Sequence, residues 1–505
     1  MKLTEEQEAI RDAYVAGEQL VVQAGAGTGK TSTLIALAEA LPRKRATYIA
    51  FNKSIQLEAA KKFSNNVTAR TAHSLAYAKF GRLYAQRLNA PRVTTATAAR
   101  FLGVTSHDVP TFDGQFKNFN TYQLVRIINE TVANFCRSDS EKIEAWHVPL
   151  TLGIDPLGER GVPTRGLGHF ALAEYVLPFA NVAWEDLKKR EGKMRFTHDH
   201  YLKMYALSKP VIQGDVLFFD EAQDANPVIK SIVMNQDHLQ KDLVGDENQA
   251  IYGFTGALDA MGEFAKTGAT VLPLAQSFRF GQAVADSANE MLGLLGSAMK
   301  LRGFDQIPSR IEDLTSDQAA AVLCRTNAGT LQEIVDVQQS GKKAALVGGI
   351  DQIKNFVIAA IDLQERSKTN HPELMMFTSW DELKNYVDKD ADGGDLATLV
   401  KIVELNDSTK LLNALNSCVD ESRADVTIST AHKAKGREWD SVKIGADFSI
   451  VKEDPTTGNR SEMGRPEKML AYVALTRAEV TLDPGCLMQD VHEIRTMREA
   501  EEVTV

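Results

Sequence analysis

The sequence predicts an α/β chain of two parallel-sheet domains, each interrupted by a mostly helical insertion. Three observations carry this expectation. Short runs with apolar centres recur with helical patterns between them, as expected of buried parallel strands joined by crossover helices. That regularity lapses twice, over residues 78–205 and over 351–423, and resumes each time. One apolar run passes through a loop of small residues directly into a helix, in "VVQAGAGTGKTSTLIALAEA". At 505 residues the chain exceeds what one compact core supports, so several domains are expected.

Taken in order, "QLVVQA" (19–24), "ATYIAF" (46–51), "DVLFFD" (215–220) and "KDLVGD" (241–246) read as strands of the first domain. Residues 78–205 carry helical segments, aromatics and a loop-like centre, "GIDPLGERGVPTRGLG", and read as an inserted subdomain. A second α/β series opens near "ATVLPL" and continues through "AAVLCRTN" and "KKAALVGG". It resumes at "ADVTIST" and "DSVKIGAD" and ends near "LAYVALTRAEVTL". The polar stretch between, with "DKDADGGD" as a loop, is its insertion. The expected domains are therefore 1–77 with 206–272, carrying insertion 78–205, and 273–350 with 424–490, carrying the shorter insertion 351–423. Residues 491–505 are expected to form a charged helical or frayed tail.

Hydrophobic residues at 44% and charged residues at 25% describe an ordinary globular chain. No apolar run reaches the length of a membrane span, so no membrane partner is expected, and "MKLTEEQEAI" does not read as a signal peptide. Cys136, Cys324, Cys418 and Cys486 are scattered without CxxC spacing, which argues against a disulfide framework, a zinc site or an iron–sulfur site. A reducing compartment is expected: the cytoplasm of a bacterial or virus-infected cell, or a nucleus, and not secretion. The net charge of -10 speaks against coating nucleic acid through bulk basicity but leaves a local basic groove open.

The small-residue loop carries the chemistry. Ala24, Gly25, Ala26, Gly27, Thr28 and Gly29 let backbone N–H groups close around phosphate oxygens at a helix N-terminus. Lys30 is placed to reach the β- and γ-phosphates, and the Thr31 hydroxyl to coordinate Mg²⁺. Ala24 stands where the strictest form of the pattern has Gly. In "DVLFFDEAQDANP", Asp220 ends a buried strand, where a carboxylate is costly without a cationic partner. Beside a phosphate loop it fits a Mg²⁺-holding acid, and Glu221 fits the general base that polarises the attacking water. Taken alone, the same stretch also reads as a strand followed by a helix with acids in its first turn.

The order of the remaining motifs resembles superfamily 1A helicases of the UvrD/Rep type, and within that group is similar to the helicase part of the F-box DNA helicase family. The carrying stretches are "FNKSIQLEA", "TAHSLAY", "FFDEAQDANPV", "LVGDENQAIYGFTGA", "QSFRFG", "TAHKAKGREWDSV" and "YVALTRA". The reading places no F-box before the first motif and no nuclease domain after the last, and it carries over no ubiquitin-ligase connection. The resemblance implies two RecA-like domains with ATP in the cleft between them and single-stranded DNA crossing both. It implies that Gln7 reads adenine, although Gln7 with Thr4 also fits a capping box. By the same resemblance Phe278 stacks on adenine, with an ordinary core Phe as the alternative. Arg279 and Arg477 are arginines extended towards the γ-phosphate, Gln249 senses that phosphate or its water, and Glu438 lies near the sugar, unless it is a solvated loop acid. Phe254 is the aromatic that stacks on a DNA base, and Phe51, Asn52, Thr71, His73, Thr430 and His432 line the strand path. The two histidines also fit purely structural roles.

Ser32 replaces an arginine that packs on the nucleotide in many relatives, and Thr255 replaces the arginine of "GFRGA". Arg437 replaces an apolar residue, without an account from sequence. The expected activity is ATP-driven 3′–5′ translocation on single-stranded DNA with unwinding at single-strand/duplex junctions, in repair, recombination or replication. The alternatives are a translocase that mainly strips proteins from single strands, a nucleotide-dependent switch without motor activity, and, more weakly, an RNA substrate.

Overall fold

A computed structural model describes residues 2–504 apart from 92, 152, 157–163, 252–259, 368, 370, 372–373, 375–378, 390–398, 401, 405–407 and 455–456. The chain forms two compact units, Met1–Gln23 with Lys30–Leu272, and Ala24–Gly29 with Pro273–Val505. The strands in chain order are β1 (Leu20–Ala24), β2 (Ala46–Ala50), β3 (Val67–Thr71), β4 (His107–Pro110), β5 (Phe116–Phe119), β6 (Val216–Phe219), β7 (Gln240–Gly245) and β8 (Thr270–Leu274). They continue with β9 (Arg310–Ile311), β10 (Ala321–Cys324), β11 (Ala344–Leu346), β12 (Val426–Thr430), β13 (Trp439–Ile444), β14 (Val451–Glu453), β15 (Arg460–Glu462) and β16 (Ala478–Asp483).

The first sheet has the order β3-β2-β6-β7-β1-β8, with β3–β2, β2–β6, β6–β7 and β7–β1 parallel. The second has the order β11-β12-β10-β13-β16-β9, with every pairing parallel. These are the two RecA-like α/β domains that the apolar runs implied. Strands β2, β6 and β7 are buried at every residue, which is why β2 and β6 read as apolar segments without alternation. Strand β7 buries Gln240, Lys241 and Asp242 as well as its apolar end.

Two strands depart from the sequence reading. "ATVLPL" was expected to open the second series, yet β8 forms the edge of the first sheet. Its alternating exposure marks an edge strand, and nothing local specifies which sheet it joins. Strand β3, V-T-A-R-T, is half exposed and too polar to stand out, because it too closes an edge.

The first insertion contains the β4–β5 hairpin and the helices Thr121–Arg137, Leu167–Leu187 and His198–Leu207. Its apolar residues share one core with the first sheet, running from Val21 and Leu217 through Leu124, Phe135, Leu172 and Trp184. A separate core in the second unit joins β10, β11 and β12 to the second insertion, whose helices include Asp351–Arg366 and Ser408–Asn416. The segment expected as a charged helical or frayed tail belongs to the helix Leu487–Thr504, which buries Leu487, Val491 and Ile494. The four cysteines are free thiols. Among the described residues no helix is long and apolar enough to cross a membrane.

Candidate active site

In a parallel sheet, ligands gather beyond the carboxyl ends of the strands, and β1, β7 and β6 lie side by side in the first sheet. Strand β1 runs into the loop 24–29, β6 into Asp220 and Glu221, and β7 into Asp246. The helix Lys30–Ala40 opens with Lys30, whose Nζ lies 2.8 Å from Glu221 Oε1. Burial alone would lower the Lys30 pKa, but Glu221, Asp220 and Asp246 outweigh it and hold the ammonium above its usual range. The Thr31 hydroxyl donates to Asp220 Oδ2 at 3.4 Å, and Asp220 Oδ1 accepts the Glu221 N–H at 2.9 Å. Burial, reinforced by the neighbouring Glu221 charge, raises the Asp220 pKa against the opposing pull of Lys30.

Glu221 is in the left-handed region, with φ 52° and ψ 42°. This conformation is unfavourable for a non-glycine residue by about 1–2 kcal/mol, so the surroundings must impose it. Three contacts do so: its own N–H to Asp220, the Lys30 ion pair, and the Gln223 amide, which donates to Glu221 Oε2 at 2.6 Å. Gln223 Oε1 in turn accepts the Asp246 N–H at 3.0 Å, and Asp246 Oδ2 accepts from Gln249 Nε2 at 2.8 Å. A continuous hydrogen-bond chain thus joins Glu221 to Gln249, which is buried. Gly245 makes room for it: a Cβ there would lie 2.2 Å from Gln223 Oε1.

Sequence reasoning missed Tyr48 on β2. Its hydroxyl donates to Asp220 Oδ2 at 2.6 Å, and the side chain is fully buried. Burial, together with the Asp220 charge, pushes the phenol upward, so it stays a proton donor. In "ATYIAF" the residue reads as one more aromatic of a buried strand; the available signal was a hydroxyl-bearing residue among apolar ones, beside a phosphate loop.

In the second unit, Ala24–Gly29 is held by Gly25 N–H to Leu274 O at 2.9 Å, Ala26 N–H to Tyr472 Oη at 3.2 Å, and Phe278 N–H to Gly27 O at 2.8 Å. Gly27 has φ +71°, and a Cβ there would lie 2.6 Å from both Arg279 Cβ and Ser277 Oγ, so only glycine fits. Phe278 is 40% exposed and meets Phe304 edge-on, so it is not an ordinary core residue. Arg279 Nε donates to Glu438 Oε2 at 2.6 Å, and its Nη1 donates to Thr476 O at 3.2 Å. Glu438 is therefore an ion-pair partner of Arg279 rather than a free loop acid. Arg477 is buried, donating to Val473 O, Arg437 O and Thr476 Oγ1. Arg437, unexplained by sequence, forms an ion pair with Glu421 and offers its carbonyl to Arg477.

Gln7 adopts the capping box with Thr4, and its Nε2 donates to Thr33 Oγ1 at 3.1 Å. Ser32 lies in the first turn of the helix Lys30–Ala40. Among the residues expected on the strand path, Asn52, Thr71 and Thr430 are N-caps, each accepting a backbone N–H three residues on. Phe51 is exposed and lines a small cavity with His73, Phe219 and Glu221. His73 Nε2 lies 3.5 Å from Asp199 Oδ1. Burial, with Arg325 nearby, lowers the His432 pKa. Phe254 and Thr255 lie outside the described residues.

Among the described residues no cluster of three or more His, Cys, Asp or Glu could hold a metal ion. One buried carboxylate beside one hydroxyl is instead the oxygen-donor pair that suits Mg²⁺ bound mainly through phosphates and water.

Two family models match the chain: an AAA domain over residues 6–255 and a UvrD-like helicase C-terminal domain over residues 304–482. It is 30% identical over 528 residues to F-box DNA helicase protein 1 of Schizosaccharomyces pombe, across 95% of this chain and 57% of that protein. It is 30% identical over 521 residues to F-box DNA helicase 1 of Gallus gallus, across 95% of this chain and 49% of that protein. The chain thus spans about half the length of the curated relatives it matches. With two parallel sheets, a phosphate loop at the end of β1 and paired acids at the end of β6, the chain belongs to the UvrD-like helicase family.

Proposed function

We propose that the chain is an ATP-dependent DNA helicase that translocates 3′ to 5′ on single-stranded DNA and unwinds duplex ahead of it, in repair, recombination or replication. The observation that carries the reading is the convergence of Lys30, Thr31, Asp220 and Glu221 on one site, with Lys30 Nζ 2.8 Å from the Glu221 carboxylate. In this reading the N–H groups of residues 24–29 and the Lys30 ammonium bind the phosphates of ATP. Thr31 and Asp220 hold Mg²⁺, which offsets phosphate charge when bound. A γ-phosphate that takes Lys30 as its partner frees Glu221 to accept a proton from water. That water oxygen bonds to the γ-phosphorus as the bond to the β–γ bridging oxygen breaks, leaving ADP and phosphate. Gln249 orients the water; Arg279 and Arg477, once released from Glu438, Thr476 and the carbonyls, stabilise the developing charge. Gln7 and Phe278 recognise adenine, and Glu438 meets the sugar when it leaves Arg279.

Phe51, Asn52, Thr71, His73, Phe254, Thr430 and His432 contact the DNA strand. Stacking of Phe254 on a base would contribute about 1–3 kcal/mol and tolerate any sequence. The deciding experiment measures ATPase rate with single-stranded DNA, duplex DNA and RNA, with Lys30→Ala as control. Strong stimulation by single-stranded DNA alone, lost in Lys30→Ala, is expected. Equal stimulation by RNA, or an ATPase indifferent to nucleic acid, would overturn the substrate assignment.

A further inference from the structure

We propose that Tyr48 is a positioning residue for the divalent cation: its hydroxyl fixes the Asp220 carboxylate in the orientation that, together with Thr31, holds Mg²⁺. The inference rests on the reading of Asp220 and Thr31 as the metal-holding pair. Tyr48 lies on β2, in register with Phe218 of β6, two residues before Asp220. Its ring packs against Phe63 at 5.0 Å between centroids, and the side chain has no solvent exposure. A phenylalanine would fill the same volume, so packing does not require the hydroxyl. A hydroxyl buried without a partner is unfavourable, and here the partner is the carboxylate, at 2.6 Å.

Three donors meet that carboxylate. Oδ1 accepts from the Glu221 N–H, and Oδ2 accepts from Tyr48 Oη and Thr31 Oγ1. The Glu221 contact belongs to the neighbouring residue's backbone, and Thr31 is itself a candidate ligand whose hydroxyl oxygen would turn to the cation. Tyr48 is then the remaining side-chain donor that can hold Asp220 still while the cation enters. Hydrogen-bonded partners of metal-binding carboxylates commonly change metal affinity by about 10- to 100-fold when removed.

The test titrates Mg²⁺ into the full chain with a fluorescent ATP analogue and reads the concentration that half-saturates the Mg²⁺-dependent signal. Mn²⁺ binding to the nucleotide complex, followed by electron paramagnetic resonance, gives a second readout independent of turnover. Tyr48→Phe is expected to raise the half-saturating concentration of both ions about tenfold. Nucleotide binding in chelator should stay unchanged. Phe63→Leu disturbs the same packed pair but keeps the hydroxyl, and serves as control. Unchanged ion affinity in Tyr48→Phe overturns the proposal. So does an equal loss in Phe63→Leu, which would trace the effect to packing. A wild-type protein whose nucleotide binding ignores Mg²⁺, and in which Asp220→Ala changes nothing, fails differently: it overturns the metal-site reading itself.

Discussion

At the scale of single residues, the acids of the site divide by environment. Glu221→Gln keeps the side-chain volume but removes the proposed base, so turnover is expected to fall by about 10²- to 10⁴-fold while the nucleotide still binds; stopped-flow phosphate release with parallel nucleotide titration checks both halves. Asp242, at the centre of β7, is a different kind of acid. It is fully buried, and neither oxygen has a hydrogen-bond partner among the described residues. Burial raises its pKa well above the usual carboxylate value, against a weaker pull from Lys44. The folded state therefore retains a proton that the unfolded chain releases near the ordinary value, so this residue opposes folding increasingly as pH rises above that value. Asp242→Asn should raise the stability at pH 8 and leave it unchanged near pH 4, measured by denaturant unfolding at both. His200 has the opposite sign. Burial pushes its imidazole down to about 4, so the unfolded chain binds a proton first on acidification. Its contribution is intact above about 6.5 and is lost as pH falls from there towards 4. His147 and His169 are also lowered by burial, in the same insertion. The melting temperature should therefore drop between pH 6.5 and 4, and His200→Gln should flatten part of that drop.

Elements were legible in the sequence where burial is two-sided. Strands β1, β2 and β6, and the helix after the phosphate loop, announce themselves because a strand buried on both faces is mostly apolar. Strand β7 shows this only at its Leu243–Gly245 end, since it also buries Lys241 and Asp242. The edges β3 and β8 did not, since an edge strand alternates and its sheet is chosen by a distant partner. The paired acids and the loop were equally plain, whereas Tyr48 and Glu421 were not. Their roles come from a hydrogen bond and an ion pair to residues remote in sequence, which no local pattern reveals. The helix Leu487–Thr504 shows the same limit. Its charged sequence suggested a helix or a frayed tail; the helix forms and is anchored, because Arg498 pairs with Glu462, Arg495 with Glu290, and Glu493 with Arg460, while Leu487 and Ile494 are fully buried. Removing residues 487–505 should therefore lower the stability of the second unit by more than about 3 kcal/mol, as loss of several buried aliphatic side chains requires. Limited proteolysis should then cut first within residues 273–486.

At the scale of the molecule, a net charge of -10 limits how DNA can be held. In the proposed function, helix N-caps and a few side chains contact the strand, so few counterions would be displaced. With about 0.7 per phosphate contact on a single strand, a handful of contacts gives a slope of log affinity against log salt of about −2 to −4; fluorescence anisotropy across a salt series measures it, and a slope near −8 would contradict the proposed contacts. The chain folds as two compact units, so thermal unfolding should show calorimetric and van't Hoff enthalpies that disagree. The left-handed backbone at Glu221 has a consequence for laboratory evolution. Glycine or asparagine relaxes that conformation at little steric cost, and both erase the carboxylate. A library of this protein selected only for heat resistance should accumulate those two residues at position 221, and its most durable members should be its least active ones.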